Sequence, residues 1–269
     1  MSLIRALILP ALLAALPIVA PTHARSHDTA ATSSGPREPT PGFDNRVLQT
    51  RDLPSAELQD ARRQMLAGDT IPWADMRALA DSGDGLAALR FAQRLEAEAD
   101  PALLSDAALY YATAAFTNRG SAVGPLVRLL QRGGFDLAPR RRDHIEIALR
   151  ALALEGDRRA ADALVGFYTS GRPFGVQPGK AFDLRRELAL AGDPDAALTI
   201  IMEAVSGVAP EPVDRNRVIE LLDVVATSDH VGQRATAENL RQMLENGGFD
   251  DALAADDAVL STNPEEVSQ

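Results

Sequence analysis

The sequence predicts an all-α protein, an α/α superhelical solenoid of about five helical hairpins. Three observations lead to this class: a landmark that recurs about every 36 residues, apolar residues at helical spacing, and few aromatic residues. Only 4% of the residues are aromatic, which suits closely packed thin helices better than a β-sandwich built from β-branched and aromatic side chains. The landmarks fall at Gly83-Asp84, Gly120, Gly156-Asp157, Gly192-Asp193 and Ser228-Asp229.

Apolar residues mark two helices around each landmark. The residues 11, 8, 4 and 3 positions before it are mostly apolar, and these separations place them on one helical stripe. A second helix follows the landmark and ends at Gly171 in one unit and Gly207 in the next, where glycine tolerates the positive φ of a helix C-terminus. The first stripe contains Leu109, Ala112 and Phe116, then Ile145, Ala148, Leu152 and Ala153, then Ala181, Leu184, Leu188 and Ala189.

Each unit is therefore a helix, a loop of variable length, a second helix and a tight Gly-Asp turn, whose aspartate caps the next helix. Neither helix buries its stripe alone, so neighbouring hairpins must stack into one core. We expect about ten helices between Leu53 and Gly247 and essentially no sheet. Tyr168 lies on the stripe, whereas Phe167 is turned by about 100° around the helix and is expected to face a groove.

One segment resembles a known repeat family. Tyr168-Thr169-Ser170-Gly171, Phe174-Gly175-Val176, and Lys180-Ala181 through Gly192-Asp193 are similar to a Sel1-like repeat, a 36-residue relative of the tetratricopeptide repeat. The resemblance is good over residues 153–207 and fair over 72–134 and 208–247. It implies a superhelical array of 36-residue repeats that holds other proteins along its concave face. Exported members of the family with a disulfide in each repeat differ from this chain, which has no cysteine, so their activities are not carried over.

The first residues have the pattern of a secretory signal peptide. Arg5 supplies the positive charge, Ala6–Ala20 is an apolar run, and Thr22-His23-Ala24 places small residues at the −3 and −1 positions of a cleavage site. An uncleaved anchor is the alternative, but the run is shorter than the roughly 20 apolar residues of a membrane span. We therefore expect cleavage after Ala24, a periplasmic protein, and no membrane span in the mature chain.

Composition divides the remaining chain. Residues 25–51 are rich in Ser, Thr, Pro and Gly and are predicted to form a flexible leader. The helical repeat domain is expected over 52–248, and a partly disordered C-terminal tail over 249–269.

Charge and cysteine content exclude several classes of function. The net charge is −11, and an acidic surface repels nucleic acid and anionic lipid, so no nucleic-acid partner is expected. The absence of cysteine excludes disulfides, thiolate metal sites and cysteine nucleophiles.

No motif predicts catalysis, a metal or a cofactor. The loop Gly175–Ala181 is one residue short of a phosphate-binding loop and lacks its Ser or Thr. Asp81-Ser82-Gly83-Asp84-Gly85 lacks the distal glutamate of a calcium loop and is explained as a turn. His144 and His230 have no ligand spacing and are interpreted as surface helix residues. We therefore expect a protein that is not an enzyme.

The function predicted is that of a periplasmic scaffold or adaptor that binds a protein or peptide in a concave groove. Binding of a cell-wall or exopolysaccharide component is the alternative, and an envelope enzyme is the third. The basic run at the predicted helix start around residue 140 is either solvated or contacts an acidic partner. The residues of that run are Arg140, Arg141 and Arg142, and the predicted groove residues are Arg90, Arg94, Asp162, Phe167 and Glu203.

Overall fold

A computed structural model describes residues 46–249, which belong to one compact unit. Within this range the chain forms eleven α-helices and two short 3₁₀ turns, at Thr50–Asp52 and Gly120–Ala122, and no strand. The all-α prediction is therefore confirmed for the described part. The α-helices are α1 (Ala56–Ala67), α2 (Trp73–Asp81), α3 (Gly85–Ala97), α4 (Pro101–Phe116), α5 (Val123–Arg132), α6 (Pro139–Leu154), α7 (Arg158–Ser170), α8 (Pro178–Leu190), α9 (Pro194–Val205), α10 (Arg215–Ala226) and α11 (Val231–Glu245).

The helices stack as two rows, which is the arrangement of an α-solenoid. From α1 to α4 and from α6 to α11 each helix packs against the next in the chain, and α4 packs against α5. In addition, α6 contacts both α4 and α8 along one row, while α5 contacts α7 and α9 contacts α11 along the other. Apolar residues from both rows form one continuous core. No helix among residues 46–249 combines the length and apolar character needed to cross a membrane.

The Gly-Asp turns close one helix and start the next, as predicted. After α6, Gly156 adopts a φ of 95° and Asp157 donates its backbone N–H to Leu152 O at 2.9 Å, which is the Schellman arrangement. The Asp157 carboxylate then accepts a hydrogen bond from Ala160 N at 2.9 Å and caps α7. The same contacts recur at Gly83-Asp84 and Gly192-Asp193. One aspartate thus serves two helices in each turn.

The predicted landmark at Gly120 is wrong by two residues. The left-handed residue after α4 is Asn118, with a φ of 66°, and Arg119 N donates to Ala114 O at 3.0 Å in place of the aspartate. Asparagine tolerates this conformation better than other residues with a Cβ. Gly120 instead begins a 3₁₀ turn, so the spacing of landmarks is irregular at this unit.

Side-chain contacts link positions about one repeat apart. Within each row of helices, an arginine or lysine reaches a carboxylate 34 to 37 positions away. These pairs are Arg132–Glu96 at 3.2 Å, Lys180–Glu146 at 2.7 Å, Arg150–Glu187 at 2.5 Å, and Arg158–Asp195. The repeat length seen in the sequence therefore recurs as the number of positions that separate two interacting side chains.

Both predicted boundaries of the repeat domain need correction. Val47 N donates to Gly83 O at 3.2 Å, and the Arg46 guanidinium lies over the Phe116 ring, so the last residues assigned to the leader pack on the helices. At the other end Phe249, assigned to the tail, is 8% exposed and joins the core. The signal peptide, most of the leader and residues 250–269 lie outside the described residues.

His144 is buried, which contradicts its assignment to the surface. Its side chain lies between α4 and α6, with Nε2 3.4 Å from Thr113 Oγ1. Burial lowers the pKa of His144 from its usual 6.5 to about 4. His230, which precedes α11, is exposed as predicted.

The depressed pKa of His144 predicts an acid-sensitive fold. The His144 imidazole takes up a proton near pH 6.5 in the unfolded chain but only near pH 4 in the folded chain. The stability of the fold therefore falls as pH falls through this window. Between pH 7 and 4.5 the protonation of His144 in the unfolded chain lowers the free energy of unfolding by about 2–3 kcal/mol. In urea melts, the stability of His144→Gln should therefore fall less steeply with pH over this range than that of the wild type. The stability of His230→Gln should fall with pH as steeply as that of the wild type. Equal slopes for His144→Gln and the wild type would contradict the assignment.

Candidate binding groove between α7 and α9

A groove runs along the seam between α7 and α9. The helix α8 packs against both, whereas α7 and α9 do not pack extensively against each other. A cavity of about 220 Å³ lies in the seam, and a cavity of about 390 Å³ adjoins it at the end of the seam, between the α6–α7 and α8–α9 turns. The two cavities share Arg158, Ala161, Leu188 and Asp193. Small and aliphatic side chains line the floor, and their size leaves the space open.

An ion pair crosses the groove. The Arg158 guanidinium from α7 contacts Asp195 from α9, and Gln233 from α11 donates a hydrogen bond to the same carboxylate. Asp195 therefore ties together three helices of one row. Because the side chains of Arg158 and Asp195 are 62% and 39% exposed, their pairing is weak and can be exchanged for another partner.

Arg185 of α8 lines the deeper part of the groove. Its NH2 group donates to both carboxylate oxygens of Glu203, at 2.8 and 3.0 Å. Its Nε is buried and has no hydrogen-bond partner among residues 46–249. The Glu203 pairing fixes the guanidinium against the floor, so its charge is already neutralised.

Two of the predicted groove residues come together here. Asp162 is exposed on the α7 side of the smaller cavity. Glu203 reaches the same cavity through Arg185. Arg90 and Arg94 lie elsewhere, beside a cavity of about 460 Å³ next to the α1–α2 connection.

Arg90 and Arg94 are engaged within the chain. Arg90 NH1 donates to Met65 O at 2.6 Å, and Arg94 NH1 donates to Ile71 O at 3.1 Å. The Arg94 guanidinium also lies 4.5 Å from the centre of the Trp73 ring. Both arginines therefore fasten the first two helices to α3.

The predicted exposure of Phe167 is wrong. Its side chain is 5% exposed, and its ring packs edge-on against Phe174 with 5.8 Å between centroids. The segment 171–177 folds back over α7, because Gln177 N donates to Tyr168 O at 2.8 Å. That loop covers the face that helix geometry alone leaves open. Tyr168 is fully buried, as predicted, and its hydroxyl donates to Glu146 at 2.7 Å.

The three arginines at the start of α6 differ in surroundings. Arg140 is exposed, as a solvated helix start predicts. Arg141 instead pairs with Asp106 of α4, and Arg142 NH2 donates to Leu137 O at 3.2 Å. Two members of the run therefore join α6 to its neighbours instead of facing solvent.

The rejected motifs have structural roles. Gly175 adopts a φ of 87° in the α7–α8 loop, and Lys180 pairs with Glu146 and lies 5.6 Å from the Tyr168 ring centre. Asp84 is 1% exposed and caps α3. In the part of the chain described here, no three His, Asp or Glu side chains are placed to hold a metal ion.

Comparison with protein-family models, with curated protein sequences and with solved structures returned no match for this chain. The groove is therefore interpreted from its own residues.

The sequence predictions missed several groove residues, namely Glu155, Arg158, Arg185, Asp193 and Asp195. A signal for one contact was present, since Arg158 and Asp195 are one repeat apart at similar places in their helices. The pairing of Arg185 with Glu203 depends on how α8 faces α9, and no pattern in the sequence reports that orientation.

Proposed function

We propose that this protein is an exported scaffold or adaptor of the Sel1-like repeat class, acting in the periplasm, and that it binds a protein or peptide in the groove between α7 and α9. The observation that carries the proposal is the open seam itself. Within the described range the two cavities adjoin, share four lining residues, contain apolar side chains in their lining, and are bordered by charged side chains. Such a surface suits a peptide main chain with a few anchoring side chains.

The repeat features support the choice of class. The Gly-Asp turns after α6 and α8 have the same hydrogen bonds, and the α7–α8 loop begins at a left-handed Gly171 with a φ of 85°. These are the residues through which the sequence resembles a Sel1-like repeat. By that resemblance α7 and α9 line the concave face of the array, so we assign the groove between them to that face.

Site-specific crosslinking tests the proposal. Thr199 is exposed on the α9 side of the groove, whereas Asn239 is exposed on α11 and lines neither cavity. A photo-crosslinking amino acid in place of Thr199 should capture one discrete partner in the native envelope, to be identified by mass spectrometry and rebound in purified form. The same substitution at Asn239 should not capture it. Equal capture at both positions, or none at Thr199, would rule out the groove as the binding site.

A further inference from the structure

The charges along the groove are unbalanced. Its two arginines are each paired within the chain, Arg158 with Asp195 and Arg185 with Glu203. Three other carboxylates border the cavities and have no cationic partner in the described part of the chain: Glu155, Asp162 and Asp193. The charged side chains that border the groove without an ion-pair partner are therefore all negative.

The three carboxylates follow the length of the groove. Glu155 lies at the end of α6 beside the larger cavity, and Asp162 lies on α7 beside the smaller one. Asp193 borders both cavities. Its Oδ1 accepts two backbone hydrogen bonds, at 2.9 and 3.0 Å, which fixes the carboxylate in place.

We propose that the ligand of this groove is a basic peptide segment, with lysine or arginine side chains that pair with Glu155, Asp162 and Asp193. This inference rests on the proposed peptide-binding function and names the chemical class of the peptide. The net charge of −11 favours the encounter of a cationic partner over long range, and the local carboxylates then fix its register.

The Arg158–Asp195 pair offers the ligand a fourth carboxylate. A lysine or arginine side chain of the ligand takes the place of Arg158 on Asp195, because that exposed pair opens at small energetic cost. In the free protein, Arg158 thus occupies the place beside Asp195 that a cationic side chain of the ligand takes on binding.

Fluorescence anisotropy with three labelled eight-residue peptides tests this inference. The probes alternate alanine with lysine, glutamine or glutamate. The lysine peptide should bind, and the other two should bind at least tenfold more weakly. Asp162→Asn and Glu155→Gln should each weaken lysine-peptide binding by about fivefold, the size of one exposed charge pair. Glu238→Gln, which removes one exposed carboxylate from α11, provides a matched control and should leave binding unchanged.

Three results would overturn the inference: no binding of the lysine peptide, equal binding of the glutamine peptide, or an equal loss in Glu238→Gln. The last result would assign the attraction to the overall charge of the protein. These results are distinct from the results that would contradict the proposed function. If Thr199 captures a partner through a segment without basic residues, the groove binds peptides and only the charge inference is wrong. If Thr199 captures nothing, the proposed function itself is wrong.

Discussion

Asp84→Asn is expected to destabilise the protein by about 3–4 kcal/mol, although asparagine caps a helix as well as aspartate does. The Asp84 side chain is 2% exposed, and its second oxygen accepts a hydrogen bond from Arg62 Nε at 2.5 Å. Arg62 is itself buried, and its only other side-chain hydrogen bond in the described chain is to Thr50. Removing the carboxylate charge leaves a buried guanidinium without its counter-ion. Urea denaturation measures the loss.

Asp157→Asn is the matched control, because Asp157 occupies the same turn position and caps α7 in the same way. It has no buried arginine partner in the described residues and should lose less than about 0.5 kcal/mol. A double variant, Arg62→Leu with Asp84→Asn, should regain much of the loss, since replacing a buried ion pair by neutral groups is often close to neutral. Equal losses for Asp84→Asn and Asp157→Asn would show that the buried pair contributes nothing.

Tyr168→Ala is expected to cost about 3–5 kcal/mol, as large aromatic truncations in a core do. The ring is fully buried, and its hydroxyl donates to Glu146 at 2.7 Å. Tyr168→Phe keeps the ring and loses only the hydrogen bond to a carboxylate, which is worth about 1.5–3 kcal/mol. Thermal and urea melts of both variants measure these losses. Because each repeat contacts only its neighbours, the alanine variant should also broaden the unfolding transition.

Phe167→Ala is a necessary comparison, since helix geometry alone assigns Phe167 to an exposed face. The observed burial against Phe174 predicts a loss of about 3 kcal/mol, close to that of Tyr168→Ala. Thr169→Ala, one position beyond Tyr168 and exposed, should change stability by less than about 0.5 kcal/mol. A small loss for Phe167→Ala, similar to that of Thr169→Ala, would show that the α7–α8 loop does not cover this face in solution.

The fold class was predictable because it depends on local patterns. Apolar spacing locates the helices, and the Gly-Asp pairs mark the turns, since a left-handed glycine followed by a capping aspartate is a local requirement. The error at Gly120 arose because Asn118 supplies the left-handed conformation without glycine. The end boundaries failed for a related reason, since Val47 and Phe249 pack against residues distant in sequence.

The groove was less predictable because it depends on which helix covers which face. Helical periodicity assigned Phe167 to an open face, but the α7–α8 loop covers it. The lack of ligand spacing left His144 as a surface residue, but α4 covers it. The arginines show the same limit: Arg90, Arg94 and Arg141 all stand at plausible exposed positions, yet each bonds to a neighbouring element. Of the predicted groove residues, Asp162 is the one left exposed without a partner in the described chain.

Successive helices are connected along two edges of the array, and the tight turns with a shared aspartate all lie on one of these edges. Three residues separate α2 from α3, α6 from α7, and α8 from α9, and each carries a hydrogen bond that the adjoining helices require. On the opposite edge the connections vary from three residues, between α3 and α4, to nine, between α9 and α10. On the first edge only the α4–α5 connection, which lacks the Gly-Asp pair, is longer than four residues. Added or deleted residues are therefore accommodated mainly along the opposite edge. A helical array of this kind can acquire new loops, and with them new binding properties, without any change in the register of its core.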